Sequence, residues 1–199
     1  MSSNIFTFLI VSFASVSFLI SVFFTIIICS KNINIDTDSF QFNTTIYKVS
    51  QDYIWPTPGY NTITSRFGYR TAPTSGASSY HGGIDIAAPA GSNIVATCSG
   101  KVTYTGFYGA GGFTVIIKSG DLSFEYCHVS PNFLVSVNDY VSQGDVIAKV
   151  GPKNVYGVSG NKYKDANGNP TNGATTGPHL HFSIKKDGKA VNPNDYLLQ

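Results

Sequence analysis

Lys101-Val102-Thr103-Tyr104-Thr105-Gly106-Phe107, Phe113-Thr114-Val115-Ile116-Ile117-Lys118 and Leu122-Ser123-Phe124-Glu125-Tyr126-Cys127-His128 follow one another with only short, turn-forming segments between them. Val, Ile, Thr, Tyr and Phe dominate these runs, and such side chains suit the pleated surface of a strand. Connections this short cannot hold the helical crossovers that parallel neighbours need, so antiparallel pairing is expected. The same signature extends to Thr62–Arg66, Gly83–Ala87, Ser92–Ala96, Asp145–Val150 and His179–Lys185. No amphipathic helix longer than a few turns interrupts them. The expected fold class is all-β, mainly antiparallel sheet. The glycine-rich Gly106–Gly112 (GFYGAGG) lies between two of the runs and opens no helix, which excludes a phosphate-binding loop and leaves a tight hairpin connection.

The chain has 199 residues, enough for one globular domain and an attachment device. Charged residues make up 12% and the net charge is +2, with no clustered Lys/Arg run, so a nucleic-acid partner is not expected. Ile5 to Cys29 carries no charge. As a helix it reaches ~37 Å, against a bilayer core of ~30 Å. It is longer than the apolar region of a cleaved signal and ends in Ile26-Ile27-Ile28-Cys29, without an A-x-A site or the small residues that precede a lipidated cysteine. The expectation is an uncleaved transmembrane helix over 1–30, a polar tether over 31–51 and a folded domain over 52–199. No Lys or Arg precedes the span and Lys31 follows it, so the positive-inside rule mildly disfavours an outside domain; that placement rests on the chemistry below.

Of three cysteines, Cys98 and Cys127 lie in the domain and read as buried thiols rather than a disulfide. The segment Gly151–Pro178 is rich in Asn, Gly, Lys and Thr and reads as a long solvated loop. Its Asp165/Asn167/Asn169 spacing has a weak likeness to a calcium loop, but the downstream acidic ligand is missing.

The four histidines stand in short settings: Tyr80-His81-Gly82-Gly83-Ile84-Asp85, Tyr126-Cys127-His128-Val129 and Gly177-Pro178-His179-Leu180-His181-Phe182. Positions i and i+2 of a strand project from one face, so His179 and His181 are expected side by side, with Leu180 turned to a core. His81 and Asp85 are joined by glycines that let the chain bend until both reach one ion. Together these motifs supply two histidines and an aspartate, the donor set of a catalytic zinc site with three protein ligands and an open position.

Over Trp55 to Leu198 the sequence resembles the LytM/lysostaphin-type peptidases, family M23, which cleave peptides in peptidoglycan. The resemblance runs through Ile63-Thr64-Ser65-Arg66-Phe67-Gly68-Tyr69-Arg70, His81-Gly82-Gly83-Ile84-Asp85-Ile86-Ala87-Ala88-Pro89, Gly100-Lys101-Val102, Tyr126-Cys127-His128-Val129-Ser130, Val141-Ser142-Gln143-Gly144-Asp145-Val146-Ile147, Gly177-Pro178-His179-Leu180-His181-Phe182 and Val191-Asn192-Pro193. It implies a LytM/lysostaphin-like domain that binds one zinc ion through His81, Asp85 and His181. It also implies His128 and His179 as the catalytic histidines, leaving open which takes which role, and water as the nucleophile. The substrate implied is a cross-link or stem peptide of bacterial peptidoglycan, with glycine bridges and D-amino-acid stems both open. The expected location is the bacterial cell membrane, single-pass, with the domain extracellular. Two alternatives are a catalytically inactive LytM-type binding or activator module and a structural β-module. Cys127 departs from the small residue usual before the catalytic histidine and is expected to face the core.

Overall fold

The computed structural model describes residues 53–197. The expected anchor, Ile5–Cys29, and the tether over 31–51 lie outside the described residues. Among the described residues no helix is long and apolar enough to cross a membrane.

The described strands run, in chain order, β1 (Ile63–Ser65), β2 (Gly68–Tyr69), β3 (Tyr80–His81), β4 (Ile84–Ile86), β5 (Asn93–Val95), β6 (Gly100–Phe107), β7 (Phe113–Ser119), β8 (Leu122–Cys127), β9 (Tyr140–Val141), β10 (Val146–Lys149), β11 (Leu180–Lys186) and β12 (Lys189–Val191). The three opening runs are the meander β6–β7–β8, and the GFYGAGG segment is a hairpin closed by a 3-10 turn over Gly109–Gly111. The main sheet is ordered β1-β4-β11-β8-β7-β6-β9, with β12 also on β11, and all its pairings are antiparallel. Two ribbons, β5–β10 and β2–β3, complete the described strands. The expected all-β, mainly antiparallel fold is what forms.

Period-two alternation divides the sheet into unlike faces. Phe124 and Tyr126 on β8, Phe182 and Ile184 on β11, Val115 and Ile117 on β7 and Ile84 and Ile86 on β4 are fully buried in one core. Ile94, Ile147 and Ala148 of the β5–β10 ribbon join the same cluster. Each large side chain there contributes roughly 1.5–3 kcal/mol by leaving water. The intervening residues face the other way, and apart from Ile116 they are polar: Asp85, Glu125 and Ser183. Register sets Asp85 opposite His181, His181 opposite Cys127 and Ser183 opposite Glu125, so these five share a face. That face is the floor of the site.

Candidate active site

A groove of about 830 Å³ lies on this polar face. One wall is the segment from Arg70 to Tyr80, and the other combines Tyr108, Ala110 and Gly111 with Ala174–Pro178 of the long loop. Tyr163 of that loop reaches both walls: its ring edge is 2.8 Å from where a Cβ on Gly76 would stand, and its hydroxyl is 3.8 Å from the same position on Gly109.

Strand geometry delivers three donors to one point. His81 ends β3, the chain bends at Gly82-Gly83, and Asp85 follows on β4. The bend requires glycine, since a Cβ on Gly83 would lie 2.3 Å from the Phe182 carbonyl oxygen and 3.0 Å from His181 Nε2. His81 Nε2 then lies 3.1 Å from Asp85 Oδ1 and 2.9 Å from His181 Nδ1, which is itself 2.9 Å from Asp85 Oδ1. These three residues form a group that can hold a metal ion. His81 Nδ1 is 2.8 Å from the Arg66 carbonyl oxygen, an atom that only accepts. Nδ1 therefore carries the proton, and Nε2 presents a lone pair to the cluster.

Burial pushes the Asp85 carboxyl upward, but its contacts with His179, His181 and His81 outweigh that and hold it far below the usual carboxylate range. Arg70 Nη1 donates to Asp85 Oδ2 at 3.0 Å and also bonds the Ser65 hydroxyl. The guanidinium thus occupies the outer oxygen and leaves Oδ1 facing the histidines. Burial lowers the pKa of His181, against the pull of Asp85.

His128 and His179 complete the cluster from outside the strands. Their ring centroids are 4.7 Å apart, and His179 Nε2 is 3.6 Å from Asp85 Oδ1. His179 immediately precedes β11 rather than lying within it, yet it shares the face of His181 as the i, i+2 spacing requires. His128 follows β8 with φ 59°, the left-handed region. Its Nδ1 donates to the Asn172 carbonyl oxygen at 2.7 Å, and His179 Nδ1 donates to that of Gly177 at 2.8 Å. Both rings therefore present Nε2 to the groove. Burial, reinforced by repulsion from His179 and His181, lowers the His128 pKa to about 3, so the ring is neutral near pH 7.

All five residues singled out in the sequence meet in this groove. Two expectations are corrected. Cys127 does not face the core: it sits across from His181 on the site face, beneath Gly111. Simple alternation fails because the left-handed turn at His128 brings that side chain back to the face Cys127 already occupies. Burial raises both thiols, Cys98 and Cys127, to about 12, and both are free. The segment Gly151–Pro178 is likewise more than a solvated loop. Thr171, Asn172 and Thr175 are buried, and its backbone carbonyls orient both histidines. Its Asp165 is ringed by donors, the amides of Asn167 and Asn169 with Asn154 Nδ2 and Lys153 Nζ, so it closes a turn and offers no calcium cage. Arg70 and Asn172 were not singled out as site residues. Arg70 lies inside a quoted motif, whereas nothing local marks Asn172.

An antiparallel sheet carrying a His-Asp-His donor group in an open groove defines a metallopeptidase-like class of domain. Residues 79–193 match the model of Peptidase family M23, and the chain belongs to that family. It is similar to the DD-carboxypeptidase/endopeptidase Mpg of Neisseria meningitidis serogroup B, 33% identical over 140 residues that make up 70% of this chain and 28% of that protein. It is also similar to the murein hydrolase activator NlpD of Escherichia coli K12, 32% identical over 148 residues, 73% of this chain and 31% of that protein. The chain thus spans less than a third of the length of these curated relatives. Among solved structures, a zinc containing peptidase from Vibrio cholerae superposes with a TM-score of 0.56 at 26% identity, covering 72% of this chain and 39% of that one.

Proposed function

We propose that this chain is a zinc-dependent endopeptidase acting on peptide cross-links or stem peptides of bacterial peptidoglycan, with His81, Asp85 and His181 as the metal ligands and His128 and His179 as the catalytic residues. The observation that carries the reading is the convergence of three ligand atoms at one point, with two further imidazoles turned toward it by backbone carbonyls. The donor set fits zinc. Ligand atoms about 2.0–2.1 Å from a tetrahedral ion stand about 3.3 Å apart, close to the 2.9–3.1 Å edges of the His81–Asp85–His181 triangle. With its Nδ1 proton committed to the Arg66 carbonyl, a neutral His81 offers its Nε2 lone pair to a cation shared with Asp85 Oδ1. Zinc supplies Lewis acidity and lowers the pKa of a water to ~7.

The chain's own groups supply the rest. A neutral imidazole with Nε2 free takes a proton from the attacking water, and the ring that gains the proton donates it onward to the leaving amine. The second ring lines the groove beside the reacting carbonyl, and it donates to the charge developing there only after taking a proton from bulk water, which it returns when the products leave. The Arg70–Ser65 pair holds Asp85 through its outer oxygen. Similarity to the DD-carboxypeptidase/endopeptidase Mpg and to the murein hydrolase activator NlpD supports the substrate class. The uncharged Ile5–Cys29 run supports attachment to the membrane, and placing residues 52–199 outside the cell follows from the proposed substrate alone.

The similarity to NlpD favours a second reading, an inactive module that activates another hydrolase. Retention of all five groups argues for the enzyme. Metal analysis of the purified domain beside digestion of walls of known cross-link chemistry separates the two. One bound zinc with released peptides of defined ends is expected, and a domain that binds no metal and releases no fragment would sink the proposal.

A further inference from the structure

The long loop does more than wall the groove. Resting on the reading of His128 as a catalytic residue, we propose that Asn172 is a positioning residue, which fixes His128 in its left-handed conformation and keeps its Nε2 turned into the groove. A residue with a Cβ rarely adopts a φ of 59°, and it stays there only where its surroundings over-determine it. Three backbone bonds act on His128 and its successor: His128 N–H donates to the Gly111 oxygen at 2.8 Å, the His128 oxygen accepts from Gly151 N–H at 2.9 Å, and Val129 N–H donates to the Phe113 oxygen at 2.9 Å.

The turn at His128 also breaks the β7–β8 ladder, whose last cross-strand pair is Val115–Tyr126. Beyond that pair, the Phe113 N–H and the Val129 carbonyl need other partners, since buried backbone groups left alone are costly. Asn172 provides both. Its Oδ1 accepts from Phe113 N–H at 2.8 Å, and its Nδ2 donates to the Val129 oxygen at 2.9 Å. One carboxamide thus stands in for the missing strand partner on either side of His128. The Asn172 backbone is held by its own N–H to the Lys153 oxygen at 2.8 Å, which sets its carbonyl to take the His128 Nδ1 proton.

The cradle is shaped to this side chain. Asn172 is fully buried. A Cβ on Gly112 would stand 2.3 Å from both its oxygens, and one on Gly151 would stand 2.6 Å from its Nδ2. Only a residue of this length carrying an acceptor and a donor at its end satisfies both backbone groups. Aspartate keeps the acceptor and loses the donor, setting two oxygens against each other at the Val129 position. Alanine loses both.

The test compares zinc-loaded parent, Asn172→Asp and Asn172→Ala. Three readouts are taken: bound zinc, kcat and KM on a cross-linked peptidoglycan peptide, and the His128 Nδ1–H signal in proton–nitrogen NMR. The parent is expected to show His128 protonated at Nδ1. In Asn172→Asp zinc should stay bound and KM change less than about threefold, while kcat falls ~10–100-fold, the effect of a misplaced group, and the Nδ1–H signal shifts or disappears. Asn172→Ala should do the same or more, with a lower melting temperature. If the parent carries His128 protonated at Nε2 instead, the proposal fails without reference to any variant. It fails equally if Asn172→Asp melts earlier but keeps the parent's kcat and His128 signal, since Asn172 would then be only structural. A parent that cleaves no peptide, with the His128 signal still lost in Asn172→Asp, overturns the peptidase reading while leaving the orienting role of Asn172 in place.

Discussion

His81, Asp85 and His181 sit on paired strands, whereas His128 and His179 stand just outside β8 and β11 and lean on the carbonyl oxygens of Asn172 and Gly177. The first group is placed by sheet register. Asp85 faces His181 across the β4–β11 pairing, and His81 pairs with Gly68 on β2 before the Gly82-Gly83 bend. The second group is placed by one loop, whose Asn172 lies 44 residues beyond His128 and whose Gly177 lies two residues before His179. Under the proposed roles, the difference teaches that holding an ion and moving a proton are separately encoded in this domain. A sheet gives donors fixed spacing, and a loop gives rings a fixed tautomer.

The largest effect comes from breaking the strand-borne group. Replacing His81, Asp85 or His181 by Ala should abolish zinc binding and peptide cleavage together, and a chelator should reproduce the loss, with activity returning on addition of zinc. Cleavage by a metal-free variant would dissolve the distinction between the two groups. Replacing His128 or His179 by Ala should instead leave zinc bound while activity falls by ~10²–10⁴-fold. If either change strips the metal, the loop-borne group belongs to the ion after all.

Arg70 lies between these extremes, because it touches the ion's carboxylate without being a ligand. Arg70→Met should weaken zinc binding by ~10–100-fold, as loss of an outer partner usually does. Competition with a coloured chelator measures it, and unchanged affinity would show that Asp85 needs no outer anchor. The smallest effect is expected at the thiols. Cys98→Ala and Cys127→Ala should keep most activity, at a stability cost on the order of 1 kcal/mol. With both thiols raised to about 12, iodoacetamide at pH 8 should label them only after unfolding, since the thiolate is the reactive form. Rapid labelling of the native protein would show that Cys127 opens to the groove.

Much of the strand-borne half was legible in the sequence because its signals are short. H-x-x-x-D, H-x-H and runs of β-branched residues are all visible within a few positions, and each corresponds to a strand or bend of the fold. The pieces that escaped are set by distant partners. β2, β3, β9 and β12 are two or three residues long and exist through their pairing, which no local pattern announces. Asn172 acts across 44 residues of chain on His128, in a segment whose composition reads as solvated loop. Cys127 was misplaced because strict alternation was carried one residue past the end of β8, where the backbone of His128 leaves the extended region.

Tyr163 gives the groove a mechanical property. Its ring packs against Gly76 and its hydroxyl lies toward Gly109, so one side chain links two segments distant in sequence like a tie rod. Its own segment is tied back to Phe113 and Val129 through Asn172. One aromatic side chain thus serves as a spacer between segments that would otherwise be left unconnected, and its removal would let Gly76 and Gly109 settle independently.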